Sequence, residues 1–305
     1  MNAFEEGKQP LVSIVTLNYN QAALTTAFLE SSKKLLYPHF EILVCDMASG
    51  GDLSTIINPA DYPNTRLLLS KKNLGFAGGN NWGMRQAKGE FIFIVNNDTE
   101  LTPDIIQLLL QPFYQNPVIG IVCPKIKYFD NPRLIQYAGF RPMNPFTGRT
   151  SAIGDLEPDN GQYDLSGVTN GAHGCAMMVK KDVIAKTGMF PEKFFLYYEE
   201  WDWSARIQKA GYMIWYQAGA TIFHKESMTV GKENPLKAYY LTRNRILYMR
   251  RNSGLFHLLV FSLFFGFFTL PKTVYSYLLK RQFVQLKWFL KALGYNLTHN
   301  SRSAL

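Results

Sequence analysis

The chain has 305 residues, 47% of them hydrophobic, enough for one large α/β core with an appended segment, which excludes a disordered or fibrous protein. Its three cysteines, Cys45, Cys123 and Cys175, are far apart, odd in number and without metal-knuckle spacing, so no disulfide framework is expected and a reducing compartment is the simplest reading. The net charge of +9 sits in the tail, where residues 232–305 hold twelve Lys and Arg against Glu233 alone.

Residues 1–10 are polar, with no apolar run behind a basic stretch, so a cleaved secretory signal is not expected and the location reads as cytoplasmic. Apolar runs at 11–17, 41–45, 66–70 and 91–95 alternate with helical periodicity, the pattern of a mostly parallel, Rossmann-like sheet covered by helices. The first helix is expected after Asn20 as cap, and the second over about 80–87, ending at Gly89. Thr102 as cap, Pro103 and Asp104 announce the third. Residues 130–171 are rich in Pro, Gly, Asn and Asp and read as a long functional or mobile loop. Strands resume at 174–179, 213–216 and 221–224, with a helix between them from Glu199.

Ligands bind open parallel sheets at the carboxyl ends of strands, and polar residues gather there. Asn18, Tyr19 and Asn20 follow the first strand, Asp46, Ser49 and Asp52 the second, and Asn96, Asn97 and Asp98 the fourth. Any one such cluster is more often a turn or cap, but three on one sheet edge need a further explanation. Between them Asn73, Gly75, Gly78, Gly79 and Asn80 belong to a Gly-rich loop opening a helix. Its backbone would approach a ligand closely and its dipole would favour phosphate. It matches neither a dinucleotide fingerprint nor a Walker loop. Glu199, Glu200 and Asp202 start a helix amid Tyr197, Tyr198, Trp201 and Trp203. Acids in a first turn have a dipole explanation and Asp202 can pair with Arg206, yet apolar surroundings raise a carboxylate's pKa and aromatic faces suit sugars. His224 ends a strand, where a lone histidine is more often structural.

Taken in order, Val12-Ser13-Ile14-Val15 leading to Asn18-Tyr19-Asn20, then Asp46-Met47-Ala48-Ser49, Asn73-Leu74-Gly75-Phe76-Ala77-Gly78-Gly79-Asn80, Asn96-Asn97-Asp98, Glu199-Glu200-Trp201-Asp202, His224 and Arg243-Asn244-Arg245 make the chain resemble family 2 glycosyltransferases, in the rhamnosyltransferase-like branch. The resemblance covers roughly 11–250. It implies a GT-A fold and an inverting transfer from a nucleotide-sugar (UDP or dTDP, dTDP-rhamnose among them) to a glycan or glycolipid acceptor in cell-surface polysaccharide assembly. It places Asn18 and Asp46 near base and ribose, and Asp98 at the last position of the metal-binding Asp-x-Asp motif. Asn96 replaces the first carboxylate, so affinity for Mg²⁺ or Mn²⁺ should lean on the donor diphosphate. It brings His224 to the metal or diphosphate and makes Glu200 the general base, one methylene longer than the usual Asp, with Asp202 the competing candidate. A non-catalytic membrane-bound module holding a nucleotide-sugar or glycan is the alternative; it would need no base.

The catalytic domain is expected over 1–250 and a basic, apolar, membrane-associating helical segment over 251–305. Residues 252–271 carry no Asp, Glu, Lys or Arg, are borderline in length for a span and contain Gly266 and Pro271. Arg243, Arg245, Arg250 and Arg251 precede the run, and Lys272, Lys280, Arg281, Lys287 and Lys291 follow it. A single span would therefore leave one basic cluster outside. In-plane or re-entrant helices on the cytoplasmic leaflet are expected, bound to anionic lipid rather than nucleic acid.

Overall fold

The computed structural model describes residues 9–51, 53–225 and 234–299; Asp52, and with it part of the second polar cluster, lies outside them. The four apolar runs are strands β1 (Val12–Asn18), β2 (Phe40–Asp46), β3 (Thr65–Leu69) and β4 (Phe91–Val95), all parallel in the order β3-β2-β1-β4. β1, β2 and β4 are buried on both faces and carry mostly apolar side chains instead of an alternating pattern, while β3, at the sheet edge, is half-exposed.

Beyond β4 the sheet is mixed. The short β5 (Thr99–Leu101), long β6 (Ile119–Tyr128) and β9 (Ala176–Lys180) follow, and β9 inserts antiparallel between β4 and β6. The two runs at 213–216 and 221–224 are one strand, β10 (Met213–His224), whose register against β6 shifts between Gln217 and Thr221. β10 also pairs antiparallel with β5, which sets His224 opposite Thr99 and next to the end of β4. The 130–171 region is not structureless. It contains β7 (Ile135–Tyr137) and β8 (Gly167–Thr169), and buried Lys125 ties it down through Asp159 at 3.3 Å and Asp164 at 2.6 Å.

Helices α1 (Ala22–Ser32), α2 (Gly75–Gln86), α3 (Ile105–Gln115), α4 (Lys181–Thr187) and α5 (Glu199–Lys209) flank the sheet. Three helix starts differ from expectation. Asn20 is not a cap: it sits at φ 55° and accepts from the Gly50 N–H at 2.8 Å, while α1 starts at Ala22. The Thr102 hydroxyl donates to the Thr221 carbonyl, tying β10 to the turn instead of capping α3. α2 begins five residues early, so most of the Gly-rich stretch is helix rather than loop.

The tail forms α6 (Pro235–Asn252), α7 (Leu255–Phe264), a π-helical turn (Phe265–Thr269), α8 (Leu270–Leu279) and α9 (Phe283–Thr298). Gly266 and Pro271 do not break the apolar run. The π turn widens the helix where Pro271 lacks an N–H, and Leu255–Leu279 continues as one helix long and apolar enough to cross a membrane. It folds back along α6, with Met249, Phe261, Phe265 and Phe289 in a small second core.

Candidate functional site

A cavity of about 300 Å³ opens at the carboxyl ends of β1, β2 and β4 and the end of β10, walled on its other side by residues 195–197 and by Asn234, Leu236 and Tyr240 of the α6 start. On one flank the polar strand ends form a connected network. Asn18 Nδ2 donates to Asp46 Oδ1 at 2.6 Å and to Ser49 Oγ at 3.0 Å, and Ser49 donates to Asp46 from both its hydroxyl (2.5 Å) and its backbone N–H (3.0 Å). Thr25 of α1 donates to Asn18 Oδ1 at 2.9 Å and accepts from Asn97 Nδ2 at 2.8 Å, linking the first and third clusters. Nothing in the periodicity of α1 marks Thr25 apart from its fully buried neighbours. This network holds Asp46 in a fixed orientation behind the cavity wall, which Leu17, Tyr19, Met47 and Asn97 form on this side.

Asp98 and His224 meet on the other flank, with half-buried Asn96 beside them. Asp98 Oδ1 and His224 Nε2 are 3.1 Å apart but out of line for a hydrogen bond, and both are buried atoms with no hydrogen-bond partner. His224 Nδ1 contacts Gln136 Oε1 at 2.7 Å; an amide oxygen only accepts, so Nδ1 carries the proton and Nε2 faces Asp98. Burial works against the charged imidazole, but the Cys175 sulfur and the Asp98 carboxylate outweigh it and hold the His224 pKa well above its ordinary value. Cys175 and Gln136 carry no signal in the sequence; β9 and β7 bring them here. Lys225 contributes its backbone N–H to the Asp98 carbonyl at 2.8 Å, and its ammonium sits 4.6 Å over the Phe129 ring.

The Gly-rich stretch has a different task from the one its composition implies. Asn73 Oδ1 takes the Gly75 N–H at 2.8 Å, and the Phe195 carbonyl takes those of Phe76 and Ala77 at 2.7 and 3.2 Å, so these first donors of α2 are satisfied by protein. Gly75, at φ 70°, lies against Phe195, whose carbonyl oxygen a Cβ would meet at 2.5 Å. Asn73 and Gly75 reach the cavity wall. Gly78, Gly79 and Asn80 do not: Gly79 packs under Met47 and Leu17, Gly78 beside Leu74, and Asn80 donates to the Phe76 carbonyl inside the helix.

The acids of α5 separate into two kinds. Asp202 is fully enclosed and saturated: Arg206 Nε at 3.2 Å, Arg251 Nε at 2.8 Å and Asn252 Nδ2 at 2.9 Å bind its oxygens. Burial raises its pKa, but these partners hold it below the ordinary carboxylate range, so Asp202 fastens α5 to the end of α6 and has no lone pair left for a substrate. Glu199 and Glu200 have no such partners. Burial pushes Glu200 up from an ordinary 4.5 to about 7, and Glu199, deeply buried with Oε2 unpartnered, is raised further by burial and the adjacent Glu200.

The segment in front of them is strained, with Phe195, Tyr197 and Tyr198 at φ 64°, 69° and 72°. The Arg-Asn pair of α6 restrains it. Asn244 Nδ2 donates to the carbonyls of Phe194, Leu196 and Tyr197 at 2.9, 2.7 and 2.7 Å, and Arg243 donates to those of Lys193 and Phe194 and to Asn244 Oδ1. Tyr240 stacks on Phe195 at 5.2 Å.

Among the described residues no group of three His, Cys, Asp or Glu side chains is placed to hold a metal ion. Asp98 and His224 nevertheless present two buried, unsatisfied ligand atoms to one point, which fits a divalent cation that draws its remaining ligands from elsewhere.

Comparison with known proteins adds to this geometry. The family model described as Glycosyl transferase family 2 matches residues 13–187. An N-acetylglucosaminyl-diphospho-decaprenol L-rhamnosyltransferase of Mycobacterium tuberculosis is 24% identical over 73% of this chain and 78% of its own length. A low-salt glycan biosynthesis hexosyltransferase, Agl10 of Haloferax volcanii, is 26% identical over 77% and 74%. Among solved structures, a mannosyltransferase of Pyrobaculum calidifontis in complex with GDP-Man and Mn²⁺ superposes with TM-score 0.59 at 14% identity, over 95% of this chain and 88% of that one. TarS 1–349 of S. aureus does so with TM-score 0.58 at 16%, over 92% and 80%. The likeness shows the fold, GT-A.

Proposed function

The chain belongs to glycosyl transferase family 2, and we propose that it moves a sugar, with inversion, from a UDP- or dTDP-sugar to a membrane-proximal, lipid-linked glycan acceptor in cell-surface polysaccharide assembly. The observation that carries the reading is the gathering of Asn96, Asn97, Asp98 and His224 on one cavity at the sheet's carboxyl edge, with the Asn18–Asp46–Ser49 network joined to its Asn97 wall through Thr25. Asp46, oriented by Asn18 and Ser49, accepts from the ring N–H of a pyrimidine base. Asp98, His224 and Asn96 would hold Mg²⁺ or Mn²⁺ together with the donor diphosphate. The ion supplies charge neutralisation for the leaving diphosphate. A mannosyltransferase and GalNAc-T7, both structurally similar to this chain, are complexed with Mn²⁺, which supports a divalent ion here.

Glu200 is the general base. A carboxyl with a pKa of about 7 accepts a proton from an acceptor hydroxyl better than one at 4.5, and Asp202, saturated by two arginines and an asparagine, is unsuited to that task. Aromatic side chains at 195, 197 and 240 offer flat faces to sugar rings along the cavity. The exposed apolar face of the tail keeps the enzyme at the membrane, and a relative's diphospho-decaprenol substrate supports an acceptor presented there.

The test is incorporation of label from a panel of UDP- and dTDP-sugars into the lipid fraction of membranes supplied with the protein. Wild type is expected to label lipid from one donor and Glu200→Gln to lose that labelling. Labelling of equal extent by wild type and Glu200→Gln, or none from any donor, overturns the reading.

A further inference from the structure

Between α5 and the apolar helix stands a pair of cations that find no counter-charge among the described residues. Arg245, two residues past Arg243 on α6, lays its guanidinium 5.0 Å from the Phe265 ring centroid, and its Nε is buried with no hydrogen-bond partner. Its stem lies against Gly148, whose added Cβ would meet Arg245 Cγ at 3.1 Å, and the next residue is Arg149. Among the described residues neither arginine is in an ion pair. Burial lowers the Arg245 pKa and Arg149 lowers it further, against which the Tyr198 phenol favours its charge.

Two neighbouring guanidiniums, one largely desolvated, repel each other unless an anion joins them; a phosphate offers acceptors for both forks and removes the repulsion. What surrounds the pair says which phosphate. On one side Tyr198, whose hydroxyl donates to the Gly148 carbonyl at 2.9 Å, directly precedes Glu199 and Glu200. On the other, the Phe146 ring meets His257 of α7 at 5.4 Å, and Phe265 belongs to the same apolar helix. An anion here has the carboxyls on one side and the apolar helix on the other.

We propose that Arg149 and Arg245 form the subsite for the diphosphate of a lipid-linked acceptor, turning its sugar toward Glu200 and leaving its hydrocarbon chain on the apolar helix. This rests on the transferase reading above and assigns its acceptor side. Bulk anionic phospholipid carries similar phosphate chemistry, so the test separates the two sources. Full-length protein is sedimented with phosphatidylcholine vesicles containing a polyprenyl diphosphate, and with vesicles brought to the same surface charge by phosphatidylglycerol.

Wild type is expected to bind the diphosphate vesicles more tightly, and Arg149→Ala and Arg245→Met, the latter keeping its stem on Phe265, to lose that excess by about tenfold or more. Titration with UDP and dTDP in Mn²⁺ should be unchanged in both variants, since neither lines the donor cavity. Equal binding to both vesicle types, or an undiminished excess in both variants, overturns the subsite. If Arg245→Met does not fold, Arg149→Ala, at an exposed position, decides alone. Failure of folded wild type to bind any nucleoside diphosphate while the excess persists defeats the transferase reading and leaves the subsite standing.

Discussion

The three acids of the first turn of α5 show how environment assigns a role: Asp202 is held ionised by Arg206 and Arg251, and Glu199 and Glu200 are held back from ionising by burial. Glu200→Gln should lower kcat about a hundredfold or more with donor KM nearly unchanged, as expected for loss of a general base. In wild type kcat should rise with pH through about 7 as Glu200 loses its proton. Stability should move the opposite way. A carboxyl whose pKa is raised by folding makes the folded state bind more protons than the unfolded one, so stability falls as pH climbs from about 4.5 to about 7, and Glu200→Gln should flatten that fall, which urea melts at several pH values would record. Asp202→Asn should instead destabilise by about 2 kcal/mol, because it removes the charge that the half-buried Arg206 and Arg251 guanidiniums share. The opposite pattern for the two variants would make Asp202 the base. Asp98→Ala should remove most turnover, and chelation of divalent metal should do the same to wild type; near-normal turnover of folded Asp98→Ala in chelator contradicts the metal assignment.

At the scale of elements, the parallel half of the sheet was legible because β1, β2 and β4, buried on both faces, leave mostly apolar runs bounded by polar ends. The polar ends were legible for the same reason, since Asn18, Asp46, Asn97 and Asp98 stop those runs at one edge. Helix starts were not. Asn20 and Thr102 are good capping residues by type, yet tertiary partners, the Gly50 N–H and the Thr221 carbonyl, claim their side chains. The Gly-rich stretch read as a phosphate loop because its composition does not reveal that the Phe195 carbonyl caps α2. Thr25, Gln136 and Cys175 were invisible because each reaches the site through long-range pairing of otherwise ordinary segments. The Arg243-Asn244 pair, a bare motif in the sequence, is explained by the strained 195–198 segment that it restrains. Asn244→Ala, removing the amide nitrogen that three carbonyls of that segment share, should lower kcat more than donor affinity and speed proteolysis at 194–198, whereas Asn244→Asp, an acceptor facing carbonyls, should be at least as damaging. Unchanged proteolysis in both would show that the segment holds its shape unaided.

Over the whole molecule, a mixed sheet carries the cavity at one edge, and α6 connects that cavity to an apolar helix. Leu255–Leu279 lies along α6 and α9 with one face covered, while Phe256, Leu259, Leu263 and Phe267 on its outer face are 67, 58, 50 and 73% exposed. Lys272, Lys280, Arg281, Lys287 and Lys291 surround it, all exposed. A helix packed against α6 and α9 on one side and apolar on the other suits the plane of an anionic leaflet, so cysteines placed at Tyr248 and Gln285 should label from the same side of the membrane, and labelling from opposite sides establishes a span. The central claim, that the cavity lined by Asp98 and backed by the Asp46 network is a nucleotide-sugar site, is tested most directly by calorimetric titration of UDP and dTDP, with Mn²⁺ and with chelator, into wild type, Asp46→Ala and Asp98→Ala. Wild type should bind one of the two in Mn²⁺, with affinity falling at least about tenfold in chelator and in each variant; folded wild type that binds neither, or variants that bind as tightly as wild type, would contradict it.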